Sequence, residues 1–355
     1  MGIHVMTDAL KIALTADPEL PVPPGLYGGI ERIVDMLARG LVARGHEVTL
    51  FAHPASASAG RMVRWPGASS LSAIDTLRNA ATLARAVVTE RFDLVHSFSR
   101  LAYLTPVLPF QLPKLMTYQR AISPHTVRLG WSLSRGTLAF TAISNWMMKH
   151  VQDVGCWNLI PNGVPLDKYT FRPTVAPDAP LVFLGRIEEI KGPHLAIEIA
   201  QQTGRRLIIA GNIPDEKRSW ASVHVVRHVD GDQVRYIGPV DDTQKNALLG
   251  EAAALLMPIL WDEPFGIVMT EAMACGTPVL GLSRGAVPEV VQHAVTGFVE
   301  RDIEGLVRAV SRLPSLDRAA SRARVNELYS DKVVVDAYET LYRTLIARLQ
   351  AAAAS

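Results

Sequence analysis

Residues 263–279 read EPFGIVMTEAMACGTPV, and this stretch decides the interpretation of the chain. Two glutamates lie eight positions apart, Glu263 before a Pro-Phe-Gly turn and Glu271 within an apolar run typical of a helix. Proline is favoured at the first helical position, so Pro264 predicts the helix start, and Gly276 predicts its end. Glu263 should then lie in the loop before the helix, and Glu271 about two turns inside it.

A helix N-terminus presents backbone N–H groups and the positive end of the helix dipole, which suit an anion such as a diphosphate. Two carboxylates beside it would accept hydrogen bonds from sugar hydroxyls. The stretch therefore predicts a nucleotide-sugar site. The alternative is a buried helix with two incidental acids, since glutamate is a common helix former.

This segment resembles the E-x7-E motif of the retaining family-4 glycosyltransferases, which have the GT-B fold. The resemblance extends over nearly the whole chain. It implies metal-independent transfer of a sugar from a nucleoside-diphosphate sugar to an acceptor hydroxyl, with retention of configuration. It also implies that Glu263 contacts the sugar as a catalytic residue and that Glu271 holds the ribose hydroxyls. The turn between them is implied to bind the donor as well, through Pro264, Phe265, Gly266 and Ile267.

Two cations flank a predicted strand-to-helix turn in the second half of the chain. Gly185-Arg186 should end a strand, and Lys191-Gly192 should open the next helix. Arginine binds phosphate bidentately and lysine acts as a point charge, so the pair suits a diphosphate leaving group. The resemblance implies that Arg186 and Lys191 are donor-binding and catalytic; the alternative is two solvated cations. The base should contact the strand end at Ile237, and a UDP- or GDP-sugar is expected.

The first half carries three further candidates. Gly28-Gly29 at a helix start resembles the family's Gly-Gly loop, which faces the donor, although an ordinary glycine N-cap is the alternative. His96 ends a predicted strand, where it would either contact sugar or acceptor or be a hydrogen-bonded structural residue. Many family members have a histidine at the end of the next strand, where this chain has Gln119. Glutamine can bind a sugar hydroxyl but cannot shuttle protons.

Neither a metal nor another cofactor is expected. Residues 230–232 match a D-x-D pattern, but acids beside a glycine favour a turn, and we interpret them as one. The two cations and a helix N-terminus would supply the electrostatic work of a metal. Cys156 and Cys275 lie far apart and outside any C-x-x-C pattern, which argues against a zinc site or disulfide framework and favours a reducing cytoplasm.

The length of 355 residues fits two domains. Short apolar runs alternate with helical patterns, which predicts the α/β class with parallel sheets. The predicted strands are 11–15, 47–52, 94–97, 114–118, 138–143, 181–185, 206–210, 234–237, 254–257 and 278–282. The predicted helices include 28–44, 193–203, 242–251, 265–274 and 286–292, with further helices from 303 to 349.

We predict two Rossmann-like doubly wound domains facing a cleft, as in GT-B. Residues 1–165 would form the acceptor-side domain and residues 166–332 the nucleotide-sugar domain, with the proline-rich segment 162–180 at the boundary. The resemblance implies that residues 333–355 form a helix that crosses back onto the first domain.

The charge distribution bears on partners. The net charge of +2 gives no reason to expect nucleic acid as a partner. The sequence contains no run of 18 apolar residues, so no membrane-spanning helix is predicted. Residues 94–152 contain no acid. Their cations and tryptophans would suit an anionic acceptor or weak peripheral contact with the inner membrane face, unless the clustering is chance. They are Arg100, Lys114, Arg120, Arg128, Arg135, Lys149, Trp131 and Trp146.

Two other functions remain open at this point. A nucleotide-sugar hydrolase or epimerase on the same fold would turn over without an acceptor. A catalytically silent protein would bind the nucleotide and leave the sugar attached. The intact set of Arg186, Lys191, Glu263 and Glu271 argues against a silent protein, whereas Gln119 keeps that hypothesis open. The acceptor (a saccharide, a lipid-linked sugar or a small molecule) is not specified by the sequence.

Overall fold

The computed structural model describes residues 9–26 and 28–354. It divides into two compact units. One comprises the chain up to Ile143, Met147–Ile160 and the chain from Val334 onward. The other comprises Ser144–Trp146 and Pro161–Val333.

The first unit is built on a parallel sheet, which has seven strands within the described ranges. The strands are β1 (Lys11–Thr15), β2 (Glu47–Ala52), β3 (Arg61–Arg64), β4 (Leu94–Ser97), β5 (Lys114–Tyr118), β6 (Leu138–Ala142) and β7 (Trp157–Leu159). Their order is β3-β2-β1-β4-β5-β6-β7. The helices up to the end of this sheet are α1 (Gly29–Ala43), α2 (Ala73–Thr89), α3 (Leu101–Leu104), α4 (Pro124–Ser134) and α5 (Asn145–Met148).

The second unit repeats this plan. Its strands are β8 (Leu181–Leu184), β9 (Leu207–Ala210), β10 (Val234–Tyr236), β11 (Ala254–Met257), β12 (Val279–Leu282) and β13 (Gly297–Glu300). Their order is β10-β9-β8-β11-β12-β13, and all are parallel. The remaining helices are α6 (Pro193–Thr203), α7 (Arg218–His224), α8 (Asp242–Glu251), α9 (Ile267–Ala274), α10 (Val287–Val290), α11 (Ile303–Arg312), α12 (Arg318–Leu328) and α13 (Asp331–Ala354).

Strand order places a topological switch point in each sheet. The order reverses between β1 and β4 in the first sheet and between β8 and β11 in the second. Ligands of open α/β sheets bind outside the carboxyl ends of the strands at this point. The predicted fold class, two Rossmann-like α/β domains, is confirmed.

Every strand predicted from the sequence is present, with ends that differ by at most one residue. Three strands were not predicted: β3, β7 and β13. Each lies at an edge of its sheet, is only three or four residues long, and has no continuous buried apolar run. An edge strand needs less burial than a central one, so hydrophobic pattern marks it poorly.

The start of the decisive helix differs from the prediction. Helix α9 begins at Ile267, and its N-cap is Gly266 with φ of 78°, so Pro264 is not the first helical residue. Phe265 is 2% exposed and buries its ring beside Tyr329, which holds the preceding turn off the helical path. Glu271 is therefore the fifth helical residue, little more than one turn inside the helix rather than two. The predicted end of α9 is confirmed, since the helix stops just before Gly276, whose φ is 87°.

The C-terminal helix packs on the first sheet. Tyr338 and Tyr342 of α13 are buried, and their hydroxyls lie 3.3 Å from Thr117 Oγ1 and 2.6 Å from His96 Nδ1. The first unit is thus completed by a segment that follows the second unit in sequence.

Candidate active site

The switch point of the second sheet brings two loops together. One follows β8 and contains Lys191, and the other follows β11 and contains Glu263. The backbone N–H of Leu260 in the second loop donates to the carbonyl of Ile190 in the first, at 2.8 Å. This bond fixes the two loops against each other where a ligand of this fold is expected.

Lys191, Trp261 and Glu263 form one cluster at this point. Lys191 Nζ and Trp261 Nε1 both donate to Glu263 Oε2, at 2.8 and 3.1 Å. The same ammonium lies 4.5 Å from the centroid of the Trp261 ring, within cation–π range. The carboxylate is therefore held by two donors in a mostly buried position, with 11% of its side chain exposed. Two of the predicted catalytic residues are in direct contact.

The backbone of Glu263 is supported by a loop after β12. Ala286 N donates to the carbonyl of Glu263 at 2.8 Å. Gly285 has φ of 54°, and a Cβ there would lie 2.3–2.4 Å from the backbone oxygen and nitrogen of Glu263. Only glycine permits this approach, so the loop fixes Glu263 through the main chain.

The second predicted cation has a different partner. Arg186, which follows β8, lies with its Nη2 atom 2.7 Å from Glu188 Oε1. Glu188 is 6% exposed, whereas 34% of the Arg186 side chain is exposed. The carboxylate offsets much of the positive potential that the arginine would offer an anion.

Glu271 is held from two other elements. Its Oε1 atom accepts hydrogen bonds from Tyr169 Oη at 2.7 Å and from Lys245 Nζ at 2.5 Å. The ammonium also lies 3.3 Å from Asp242 Oδ1. Glu271 is 6% exposed, so its orientation is set by these neighbours. The structure thus keeps Glu271 in a separate cluster from Glu263.

The remaining predicted donor contacts lie at element ends. Ile237 directly follows β10, and its side chain is 42% exposed. Gly266 and Ile267 form the N-cap and first residue of α9, where backbone N–H groups have no intrahelical partners. Pro264 and Phe265 are buried in the turn before them.

Sequence reasoning missed Trp261, Tyr169 and Lys245. Trp261 lies two residues before Glu263, so its position next to the motif could have indicated a role in the site. Lys245 shares the buried face of α8 with Leu249, four residues later, so helical spacing could have found it. Tyr169 lies in the proline-rich segment, 102 residues before its partner Glu271, and nothing local predicts the contact.

Gly28 and Gly29 begin α1 in the first unit. Gly28 is the N-cap with φ of 146°, and a Cβ there would lie 2.7 Å from the Pro24 side chain. This close packing agrees with the alternative of a structural glycine N-cap. The donor role of the two glycines stays a prediction.

His96 lies in the core of the first unit. It is fully buried, and its Nδ1 and Nε2 atoms lie 2.6 Å from Tyr342 Oη and Thr117 Oγ1. Complete burial holds the pKa of His96 well below its usual value, so the ring is neutral. The structure favours the second of the two sequence interpretations, a hydrogen-bonded structural histidine. Gln119 follows β5, is half-buried, and lines a cavity of the first unit.

The cations of residues 94–152 differ in their exposure. Lys114 is buried and donates to the carbonyls of Phe110 and Leu112, at 2.7 and 2.8 Å. Burial lowers its pKa to about 7. Arg120, by contrast, has 71% of its side chain exposed. In the described part of the chain, no helix combines the length and apolar character needed to cross a bilayer.

The D-x-D pattern forms a turn, as interpreted from the sequence. Asp230 Oδ1 accepts hydrogen bonds from the backbone N–H groups of Asp232 and Val234, both at 2.9 Å. The pKa of Asp230 is lowered by these backbone donors.

Two family models match the chain in succession. The model described as Glycosyltransferase Family 4 matches residues 27–168. The model described as Glycosyl transferases group 1 matches residues 173–327, which include both loops of the cluster and all of α9. The chain belongs to glycosyltransferase family 4. Its members transfer sugars, and the two-sheet architecture is the GT-B fold.

Individual relatives agree with this assignment. The chain is 27% identical to a glycogen synthase of Mycobacterium tuberculosis over 373 aligned positions, which cover 87% of this chain and 88% of the relative. The structure of AviGT4, a glycosyltransferase involved in avilamycin A biosynthesis, matches with a TM-score of 0.73 and 25% identity over 95% of this chain and 98% of the other.

A more distant structure was solved with ligands. HepE of Anabaena, in complex with UDP and glucose, matches with a TM-score of 0.74 over 94% of this chain and all of the other. At 17% identity, this likeness supports the fold alone.

Proposed function

We propose that this glycosyltransferase takes a sugar from a nucleoside-diphosphate sugar, without a metal, and transfers it with retention to an acceptor hydroxyl. The observation that carries the proposal is the Lys191–Trp261–Glu263 cluster at the switch point of the second sheet. It combines a cation for phosphate with a carboxylate for sugar hydroxyls, directly before the N-terminus of α9.

The donor diphosphate would bind through Arg186 and Lys191. In the structure each cation is next to a carboxylate, Glu188 and Glu263 respectively. Diphosphate would therefore compete with these carboxylates for the two cations. Lysine has three donors on a flexible stem, so Lys191 could contact phosphate while keeping its bond to Glu263. Glu263 would then be left with lone pairs for a hydroxyl of the transferred sugar.

The ribose would bind to Glu271. One of its oxygens is occupied by Tyr169 and Lys245, and a carboxylate has further lone pairs for the two ribose hydroxyls. Ile237 would contact the base through its neighbouring backbone. UDP is the first nucleotide to test, because HepE, which shares the fold, was solved with it; GDP is the second.

Retention would follow from attack on the face from which the phosphate leaves. The acceptor oxygen bonds to the anomeric carbon as the bond from that carbon to the phosphate oxygen breaks. The acceptor proton passes to the departing phosphate, so no protein base is required. The two cations and the α9 N-terminus would stabilise the charge that develops on the diphosphate, which is the usual work of a metal.

Thermal unfolding with UDP, GDP, ADP and TDP and their sugar conjugates tests the donor site. A ligand at 100 times its Kd should stabilise the protein by about 2.7 kcal/mol. We expect one nucleotide to act, equally with and without EDTA. No shift with any nucleotide would contradict the proposal, and a shift abolished by EDTA would contradict its metal independence.

Turnover assays then separate transfer from the alternatives. The donor identified above is incubated with and without a panel of saccharide acceptors, and free nucleotide and glycosylated product are measured. Transfer predicts product that depends on acceptor and keeps the donor's anomeric configuration by NMR. Rapid nucleotide release without acceptor would indicate a hydrolase instead, and binding without any turnover would indicate a silent protein.

A further inference from the structure

A cavity lies at the switch point of the first sheet, within the first unit. Its volume is about 340 Å³, in the range of small-molecule sites. The loops after β1, β4 and β5 supply half of its lining residues. Its polar lining includes Asp17, Ser99, Arg100, Gln119, Arg120 and Thr126.

Asp17 is the unusual member of this lining. It lies two residues after β1 and is 7% exposed, yet its Oδ1 atom accepts no hydrogen bond from the described residues. Arg120 Nη2 is 3.7 Å from Oδ2, and the arginine side chain is mostly exposed. A buried carboxylate oxygen without a donor is costly. The last torsion of aspartate is soft, so the group can turn this oxygen toward the cavity.

Burial and several neighbouring groups act on the pKa of Asp17. The Arg120 and Arg100 side chains and the backbone N–H of Arg100 lower it, and Glu19 raises it. Burial is the largest effect, and it raises the pKa of Asp17 to about 6. The nearby phenol of Tyr103, on α3, also has its pKa raised by burial. At neutral pH the Asp17 carboxylate is therefore ionised but poorly solvated.

We propose that this cavity binds the acceptor, and that Asp17 accepts a hydrogen bond from a hydroxyl of a neutral polyol, such as a sugar ring or a cyclitol. The inference rests on the proposed function, because it assigns the cavity to the acceptor of that reaction. The Asp17 carboxylate shares the cavity lining with the Gln119 amide and the Arg120 guanidinium. Together these groups offer both hydrogen-bond acceptors and donors, and the adjacent hydroxyls of a polyol can donate to the former and accept from the latter. A phosphate at Asp17 would instead face a like charge.

The test measures binding of neutral and phosphorylated polyols to the full-length protein by calorimetry. The probes are myo-inositol and the methyl glycosides of glucose, galactose and mannose, each compared with its phosphate ester. Wild type, Asp17→Asn and the control Asp153→Asn are titrated at pH 7.5 and pH 5. Asp153 is exposed and lies in the same unit, outside the cavity lining.

We expect a neutral polyol to bind wild type and the control equally at pH 7.5. Binding should weaken about tenfold at pH 5, where about a tenth of Asp17 stays ionised. Asp17→Asn should bind about tenfold more weakly at pH 7.5 and show no such pH dependence, because the amide offers a weaker acceptor. It should also unfold at a higher temperature at pH 7.5, since it removes a poorly solvated charge. If Asp17 were purely structural, the variant would instead unfold at a lower temperature than wild type.

Three results would overturn the inference. They are wild-type affinity in Asp17→Asn, tighter binding of the phosphate esters than of the neutral polyols, and no binding of any neutral polyol to wild type. Nucleotide-induced stabilisation is measured on the same samples and should not change in Asp17→Asn. Its absence in wild type would count against the donor site alone, so the two proposals fail separately.

Discussion

Replacing Glu263 with glutamine separates a catalytic role from a structural one. The substitution keeps the shape of the side chain and removes its charge. Two donors, Lys191 Nζ and Trp261 Nε1, then face a neutral oxygen instead of a carboxylate. A hydrogen bond to a charged group contributes about 1.5–3 kcal/mol against about 1 kcal/mol for a neutral one. The lysine side chain is 19% exposed and partly solvated, so we expect a loss of about 1–2 kcal/mol in the free energy of unfolding.

Ligand binding and turnover should change in opposite directions in this variant. In this variant the diphosphate no longer competes with a carboxylate for the charge of Lys191. A difference of about 1 kcal/mol in that competition tightens the Kd for the nucleotide about fivefold. Transfer should nevertheless fall about 100-fold or more, as when another electrostatic group at a reacting centre is lost.

The assays are urea unfolding, calorimetric titration with the nucleoside diphosphate, and initial rates of transfer. Glu327→Gln is the matched control, because Glu327 is exposed on α12 of the same unit. It should change none of the three quantities. Weaker nucleotide binding in Glu263→Gln together with a proportional loss of rate would refute the reasoning, since it would mean that Glu263 only maintains the shape of the site.

Two other substitutions test the support of the site. Gly285→Ala should destabilise the protein by more than about 2 kcal/mol and reduce transfer, because its Cβ would overlap the Glu263 backbone. Gly204→Ala, with φ of 63° but open space around it, should cost only about 1 kcal/mol and leave transfer intact, and equal effects in urea unfolding would argue against the steric mechanism. Tyr169→Phe removes one donor to Glu271 and should raise the Kd of the nucleotide about 3–10-fold in calorimetry. An unchanged Kd would argue against binding of the ribose by Glu271.

The sequence predicted the central strands because each is a short buried apolar run between helices. It placed Glu263 in a loop because Pro264 predicted the helix start, and Glu263 does precede the helix, which begins at Ile267. It misplaced the start of α9, because Pro264 satisfies the preference for the first helical position while Phe265 buries its ring and delays the helix. Tertiary packing overrode a local preference there.

The partners of the candidate residues could not be predicted in the same way. The bond between Lys191 and Glu263 spans 72 residues, and that between Tyr169 and Glu271 spans 102. Such contacts depend on which strands are neighbours in the sheet, and no local sequence pattern predicts the strand order. His96 shows the converse case, since its position at a strand end predicted a site equally well as a buried hydrogen-bonded ring.

Asp17 shows how a residue can work against folding in a way that points to function. A rise in the pKa of Asp17 from 3.8 to about 6 lowers the free energy of unfolding by roughly 3 kcal/mol at neutral pH. Because the pKa is higher in the folded state than in the unfolded one, this group favours folding below pH 3.8. That advantage is lost as the pH rises through 6. The folded protein thus keeps a poorly solvated carboxylate at neutral pH, where an amide of the same shape would be less costly. A hydroxyl-bearing ligand at Oδ1 would supply the missing hydrogen bond, so the cost that folding bears without a ligand becomes affinity when one binds.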